Sequence, residues 1–181
     1  MSGATDFWIR WRVRAGYPVG IAAFCFARPQ PKWLFCGVGI AALGLLLRGY
    51  AAGHLHKHKQ LATSGPYAYT RNPLYLGSVL LGVGFSVASH SWISTALLAA
   101  YLLVFYPVVI RREQGELKAL YGAAFVEYAS QVPAFWPRLP PVKMSRERFS
   151  WLLYQQNREY EAAIGLALAM VVLWFLMVYR Q

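Results

Sequence analysis

The sequence predicts an all-α integral membrane protein with about five transmembrane helices. Three observations carry that expectation. Hydrophobic residues make up 57% of the 181-residue chain and charged ones only 14%, the composition of helices that meet lipid rather than of a soluble core. The apolar residues fall in long runs without charge. The cations gather in the polar segments that alternate crossings would leave on one side of a bilayer.

The first span covers 13–27, behind a polar opening that holds Arg10, Arg12, Arg14, Trp8 and Trp11. It superficially resembles a signal peptide. No small-residue cleavage site stands before the later spans, so it is read as a crossing. The second span covers 33–50. The third, 73–88, and the fourth, 92–110, are separated by Ser89-His90-Ser91 and form a tight helical hairpin. The fifth covers 161–179. Several are shorter than the ~20 residues a bilayer asks for, a mismatch that tilt or thinning absorbs. With the N-terminus inside, all of the 18 Lys and Arg residues except Arg28, Lys32 and Arg180 fall on the inner face, as the positive-inside rule expects. The net charge of +11 is thereby assigned to topology and anionic lipid, not to nucleic acid. Cys25 and Cys36 stand alone in apolar segments and read as reduced packing or lipid-facing residues. The expectation is one multi-pass domain, 1–181, in a bacterial inner membrane, with a core over 48–138 and a cytoplasmic N-terminus and site.

The most informative stretch lies between the second and third spans, from Lys59 to Gly77. Gly65-Pro66 must leave regular structure. Asn72-Pro73 reads as a helix start, with Asn as N-cap and Pro at the first helical position. The positive end of the next helix would then face an anion at the membrane boundary. Tyr67, Tyr69 and Tyr75 offer flat faces for a base or a cation. Two readings stay open here, a binding site or a well-capped turn with tyrosines in an interfacial belt.

Beyond the fourth span, residues 113–128 repeat at helical spacing. Leu117, Leu120, Tyr121, Ala124 and Tyr128 share one face of a short amphipathic cytoplasmic helix, interrupted or bent at Tyr121-Gly122. The Pro-rich segment 132–141 reads as an extended strap against the membrane surface. Glu113 follows Arg111 and Arg112 directly. It is either part of a helix-end cluster, with Arg112 and Glu116 paired at i,i+4, or an acid held at the bilayer boundary for a chemical task. His54, His56 and His58 lack a nearby third ligand and have lysines beside them, so they read as a basic interfacial segment rather than a metal site, with His54 a candidate to line a pocket. The chain has no phosphate-binding glycine loop, no GxSxG and no HExxH, which leaves nucleotide hydrolysis and serine acyl transfer without support.

Two blocks resemble a known family. Leu61-x-Thr-Ser-Gly-Pro-Tyr-x-Tyr-x-Arg-Asn-Pro-Leu-Tyr-Leu-Gly is similar to the signature of the isoprenylcysteine carboxyl methyltransferases and the related membrane phospholipid methyltransferases. Glu113-x-x-Glu116-Leu117-x-x-x-Tyr121-Gly122-x-x-Phe125-x-x-Tyr128-x-x-x-Val132-Pro133 resembles the same family's C-terminal block, in the same order and spacing. The resemblance spans roughly 48–138; the fifth span lies outside it.

That resemblance implies an integral membrane enzyme that binds S-adenosylmethionine from the cytosol. The implied cofactor contacts are Lys59, Gln60, Leu61, Ala62, Tyr67, Asn72, Pro73, Leu74, Tyr75 and Glu113, with His54 added as a pocket candidate. The pocket would be enclosed by 59–77 and 111–138. The implied reaction is in-line methyl transfer to a lipid or lipophilic acceptor, driven by positioning and a dry site. A carboxylate acceptor needs a cation, for which Arg111 and Arg112 are candidates. An amine acceptor such as phosphatidylethanolamine needs Glu113 or Glu116 to take a proton. The sequence departs from the family's pattern twice. Asn72 stands where His is frequent. Val109 stands where the prenylcysteine enzymes place a substrate-binding Arg, so a prenylated protein C-terminus is not carried over as acceptor. Two other classes remain, a nicotinamide-dependent reductase of the sterol-reductase type and a non-catalytic membrane scaffold.

Overall fold

In the computed structural model the described residues are 2–56, 60–142, 145 and 147–180, with side chains described from Trp11 onward. Every regular element among them is helical: α1 Ser2–Phe26, α2 Pro31–Ala52, α3 Pro73–Ser89, α4 Trp92–Tyr121, α5 Ala123–Gln131, α6 Trp151–Gln156 and α7 Tyr160–Tyr179, with a 3-10 turn at Gly65–Ala68. Helices α2, α4 and α7 are each long and apolar enough to cross a membrane, and α3 is a shorter apolar helix of 17 residues. Large apolar side chains such as Tyr17, Phe35 and Leu103 point outward, which in lipid carries no hydrophobic cost. This is an all-α membrane protein.

The expected spans are all helical, but α1 begins at Ser2 rather than at 13 and is not among the described helices long and apolar enough to cross, and α4 ends later than expected. α4 runs on for 30 residues, through Pro107 and past the proposed end at Ile110, to Tyr121. Glu113 therefore sits on the same rigid rod as Tyr106, not on a separate cytoplasmic helix. Gly122 ends the rod with a φ of 52°, a conformation that glycine reaches without steric cost. α5 then turns back so that Phe125, Tyr128 and Val132 form a small core with Leu61, Leu117 and Tyr121. Leu120 and Ala124, expected on that buried face, are exposed, because the break at Gly122 rotates α5 relative to α4.

Helices α2 and α3 form the tightest pair. A Cβ added at Gly44 would lie 2.6 Å from the Gly77 carbonyl oxygen, and one at Gly84 would lie 2.6 Å from the Ala41 nitrogen. Small residues on both helices let the backbones meet, and van der Waals contact takes the place that hydrophobic burial holds in water. α1 packs chiefly against α4, and α7 closes on α2. At one end of the bundle Arg28 N–H donates to Ser89 O, Ser94 Oγ to Ala23 O, and the Arg180 guanidinium to Cys25 O and Ala27 O. The opposite end gathers Arg12, Arg48, Asn72, Glu113 and Glu159 around one cavity.

The Pro-rich strap is tied to the rest of the protein by backbone hydrogen bonds. It pairs with the loop ahead of α3 through Arg71 N–H to Pro133 O, Arg138 N–H to Tyr69 O and Val142 N–H to Ala68 O, each at 3.0 Å. Trp136 and Leu139 remain exposed on its outer side. Backbone groups with no helix to satisfy them have found each other.

Candidate active site

A cavity of about 700 Å3 opens at this end of the bundle, within the range of about 300–1,000 Å3 usual for small-molecule sites. Its wall takes residues from α1, α2, the loop 60–67, the first turn of α3, the last turns of α4, α5 and the link before α7. Sequence segments far apart are thus brought to one place by the short hairpins of the bundle.

At its centre Tyr75 Oη donates to Glu113 Oε1 at 2.6 Å, across α3 and α4. A hydroxyl on a carboxylate is a charge-assisted contact, shorter and stronger than a neutral one. The Tyr75 ring stands edge-on to Tyr106, with centroids 5.1 Å apart. Lower in the wall, Tyr128 Oη donates to Tyr67 O at 2.7 Å. The Tyr67 hydroxyl itself is buried and has no hydrogen-bond partner among the described residues, and the same is true of Arg71 Nε. Both residues line the cavity. Burial raises the phenol pKa of Tyr67 and of Tyr128, the nearby Glu113 and Glu159 adding to the effect at Tyr67, so both stay neutral donors. Partial burial lowers the pKa of Arg71, yet a guanidinium keeps its charge; its face lies 5.8 Å above the Phe125 ring.

Asn72 corrects one expectation. It begins α3 and its carbonyl accepts from Leu76 N–H at 3.1 Å, but its side chain does not cap the helix. Nδ2 instead donates to Ala134 O at 2.7 Å. The strap competes for the carboxamide, and the first turn of α3 is left without a side-chain cap where Pro73, Leu74 and Tyr75 meet the cavity.

Gln60, Leu61, Ala62, Tyr67, Asn72, Pro73, Leu74, Tyr75 and Glu113 all line this one cavity. Lys59 lies outside the described residues. His54 is not on the cavity wall. It is buried with Nδ1 2.9 Å from Tyr50 O, its ring edge-on to Tyr50, and it fills the space beside Gly65, whose φ is 56°. Arg111 and Arg112 do not reach the wall either. Arg111 is exposed, and Arg112 Nε donates to Glu116 Oε1 at 2.7 Å in the i,i+4 pair the spacing predicts.

The sequence reading did not single out Arg12, Arg48, Ser78 or Glu159 for the site, and all four line the cavity. Arg48 forms an ion pair with Glu159, donates to Ser78 Oγ and reaches Leu74 O at 3.3 Å. Asn157 Nδ2 donates at 2.9 Å to both Ala52 O and Leu55 O, closing the end of α2. A buried-boundary Arg in the second span and a Glu just ahead of the fifth were the available signals.

Comparison with known proteins agrees with the two-block resemblance. Residues 35–124 match the phospholipid methyltransferase family. The chain is 33% identical over 153 residues to the cobalt-zinc-cadmium resistance protein CzcN of Cupriavidus metallidurans, covering 80% of this chain and 68% of that one. The chain belongs to the phospholipid methyltransferase family. It is 38% identical over 104 residues to the nickel-cobalt-cadmium resistance protein NccN of Alcaligenes xylosoxydans xylosoxydans, covering 57% of this chain and 47% of that one. It is 29% identical over 136 residues to the protein-S-isoprenylcysteine O-methyltransferase of Schizosaccharomyces pombe, covering 68% of this chain and 56% of that one. The chain thus spans about two thirds of the first of these family relatives and about half of the other two. No solved structure matches.

Proposed function

We propose that this chain transfers a methyl group from S-adenosylmethionine to a lipophilic acceptor that enters from the bilayer, with the cavity facing the cytoplasm. The observation that carries the reading is the Tyr75–Glu113 hydrogen bond at 2.6 Å on the wall of a cavity that also holds Gln60–Ala62 and Tyr67. Both halves of the family signature face one space.

The residues present suit the cofactor. The orphaned Tyr67 hydroxyl is a buried donor waiting for an acceptor. The uncapped first turn of α3 and the Arg71 guanidinium suit its carboxylate. Glu113 suits its ammonium or ribose, and the faces of Tyr67 and Tyr75 suit adenine or a sulfonium. When bound, the cofactor would supply a methyl group on a positively charged sulfur. The protein's part is to hold that group, exclude water and present the acceptor at the right distance. The excess of cations at the cavity end of the bundle supports a cytoplasmic orientation.

Calorimetric titration of the detergent-purified protein tests this. The wild type is expected to bind S-adenosylmethionine and S-adenosylhomocysteine but not NADPH, and Tyr75→Phe to weaken S-adenosylhomocysteine about tenfold, or about 1.4 kcal/mol. Glu113→Ala should weaken it further. Preference for NADPH would favour a reductase, and binding of neither would favour a scaffold. Labelled methyl recovered from a membrane extract then separates acceptors, as base-labile volatile product from a carboxylate or as a stable lipid headgroup from an amine.

A further inference from the structure

We propose that Arg12, on α1, is the acceptor-binding cation, and that the acceptor is an amphiphile with an acid group at its polar end. This rests on the methyltransferase reading above and adds the acceptor's charge and the residue that reads it.

The argument begins with the cations near the cavity. Arg112 is taken by Glu116, and Arg111 is off the wall. Arg48 is neutralised by Glu159 and held by Ser78 and Leu74. The α4 position one turn ahead of Glu113 is Val109, buried and apolar. Two lining guanidiniums remain for which no described carboxylate forms an ion pair, Arg71 and Arg12. Arg71 sits over Phe125 next to the first turn of α3, on the side assigned to the cofactor. Arg12 comes from α1, which supplies none of the residues assigned to the cofactor.

Its placement is fixed by the backbone. Tyr101 Oη donates to Arg12 O at 3.0 Å, and a Cβ at Gly16 would come within 3.2 Å of the same hydroxyl, so α1 lies close on α4 here. The Arg12 side chain reaches the cavity where Tyr75 and Tyr106 stand, near enough for its charge to act on the Tyr75 phenol. α1 packs chiefly on α4 and leaves Val13, Tyr17 and Ile21 exposed, so an acyl or prenyl chain can lie along it while the head meets Arg12. A planar guanidinium with a fork of donors matches a carboxylate or phosphate and repels an ammonium. The guanidinium of Arg12 at that point of the cavity thus favours an acid acceptor over a protonated amine.

The test uses full-length protein in a neutral maltoside detergent, saturated with S-adenosylhomocysteine. Hexadecanoate, hexadecanol and hexadecylamine are titrated against wild type, Arg12→Ala and Arg12→Lys. Wild type is expected to bind hexadecanoate most tightly. Arg12→Ala should weaken hexadecanoate about tenfold and leave hexadecanol within about twofold, while Arg12→Lys keeps part of the acid preference. S-adenosylhomocysteine affinity should stay unchanged in both variants, which also reports that they are folded. Equal hexadecanoate binding by Arg12→Ala, or tighter binding of the amine by wild type, overturns the assignment. Loss of S-adenosylhomocysteine binding in both variants overturns it too, by placing Arg12 in the cofactor site. Failure of wild type to bind S-adenosylhomocysteine at all is the separate failure of the methyltransferase reading.

Discussion

A buried hydroxyl without a partner is an expensive way to build a wall. Phenylalanine would fill the position of Tyr67 equally well and would spare the protein an unpaired donor, which costs about 1–3 kcal/mol when fully desolvated. On the proposed reading the hydroxyl marks where a ligand atom belongs, and stability and binding should then move in opposite directions when it is removed. Tyr67→Phe is expected to raise the midpoint of thermal unfolding in detergent, by up to about 1 kcal/mol of stability, and to weaken S-adenosylhomocysteine about fivefold. A drop in both would mean that the hydroxyl is satisfied within the protein. Tyr75 behaves differently, because its hydroxyl already has Glu113; Tyr75→Phe should lower both stability and affinity. Tyr67 and Tyr75 were both picked out in the sequence, where a binding site and an interfacial belt stayed equally open, and both line the cavity. Which of the two is paired was not legible there, because Tyr75's partner stands 38 residues away on another helix.

Elements were easier to read than their joints. The apolar runs gave α2, α3 and α7 nearly to their ends, because a membrane helix is written in its own composition. The continuation of α4 was missed at Ile110, where charge begins. Charge ends a lipid-facing surface but does not end a helix, and the expected i,i+4 pair of Arg112 and Glu116 lies within the continuous rod. The side-chain role of Asn72 was missed for a related reason. Sequence offers Asn a cap, and tertiary structure offered it Ala134 O. The α2–α3 seam was visible only as glycines in apolar runs, Gly37 and Gly44 on one helix and Gly77 and Gly84 on the other. It sets the spacing between Arg48 and Tyr75, so it controls the cavity. Gly84→Val should cost about 3 kcal/mol, at the upper end of overpacking effects, since its Cβ would meet the backbone of α2 at 2.6 Å. Gly39→Ala, with open space around it, should leave the unfolding midpoint and elution profile of the purified protein as they are. Similar behaviour of the two variants would mean that the helices do not touch as closely as described.

At the scale of the whole molecule, α7 lies beyond the region of family resemblance, yet it is not a bystander. Glu159 precedes it and forms an ion pair with Arg48, 111 residues earlier in the chain, and Leu173 packs with Ala27, Leu34 and Ala88 near the opposite end. The helix is therefore pinned at both ends, by charge at the cavity and by close apolar contact away from it. The local sequence marks each partner as a boundary charge but does not say that the two are paired. With Glu159 almost fully buried, removing only one member leaves an uncompensated charge away from water, and losses of about 3 kcal/mol are usual for that. Glu159→Gln is expected to lower stability by about that amount and to loosen the first turn of α3 through Arg48's bonds to Ser78 and Leu74. The double variant Arg48→Met, Glu159→Gln should recover much of the stability, since neither charge is then stranded, while S-adenosylhomocysteine affinity stays reduced because the wall of the cavity has changed. A double-mutant cycle on unfolding midpoints measures the coupling directly. Additive losses would show that Arg48 and Glu159 act independently, and that α7 is held by its apolar contacts alone.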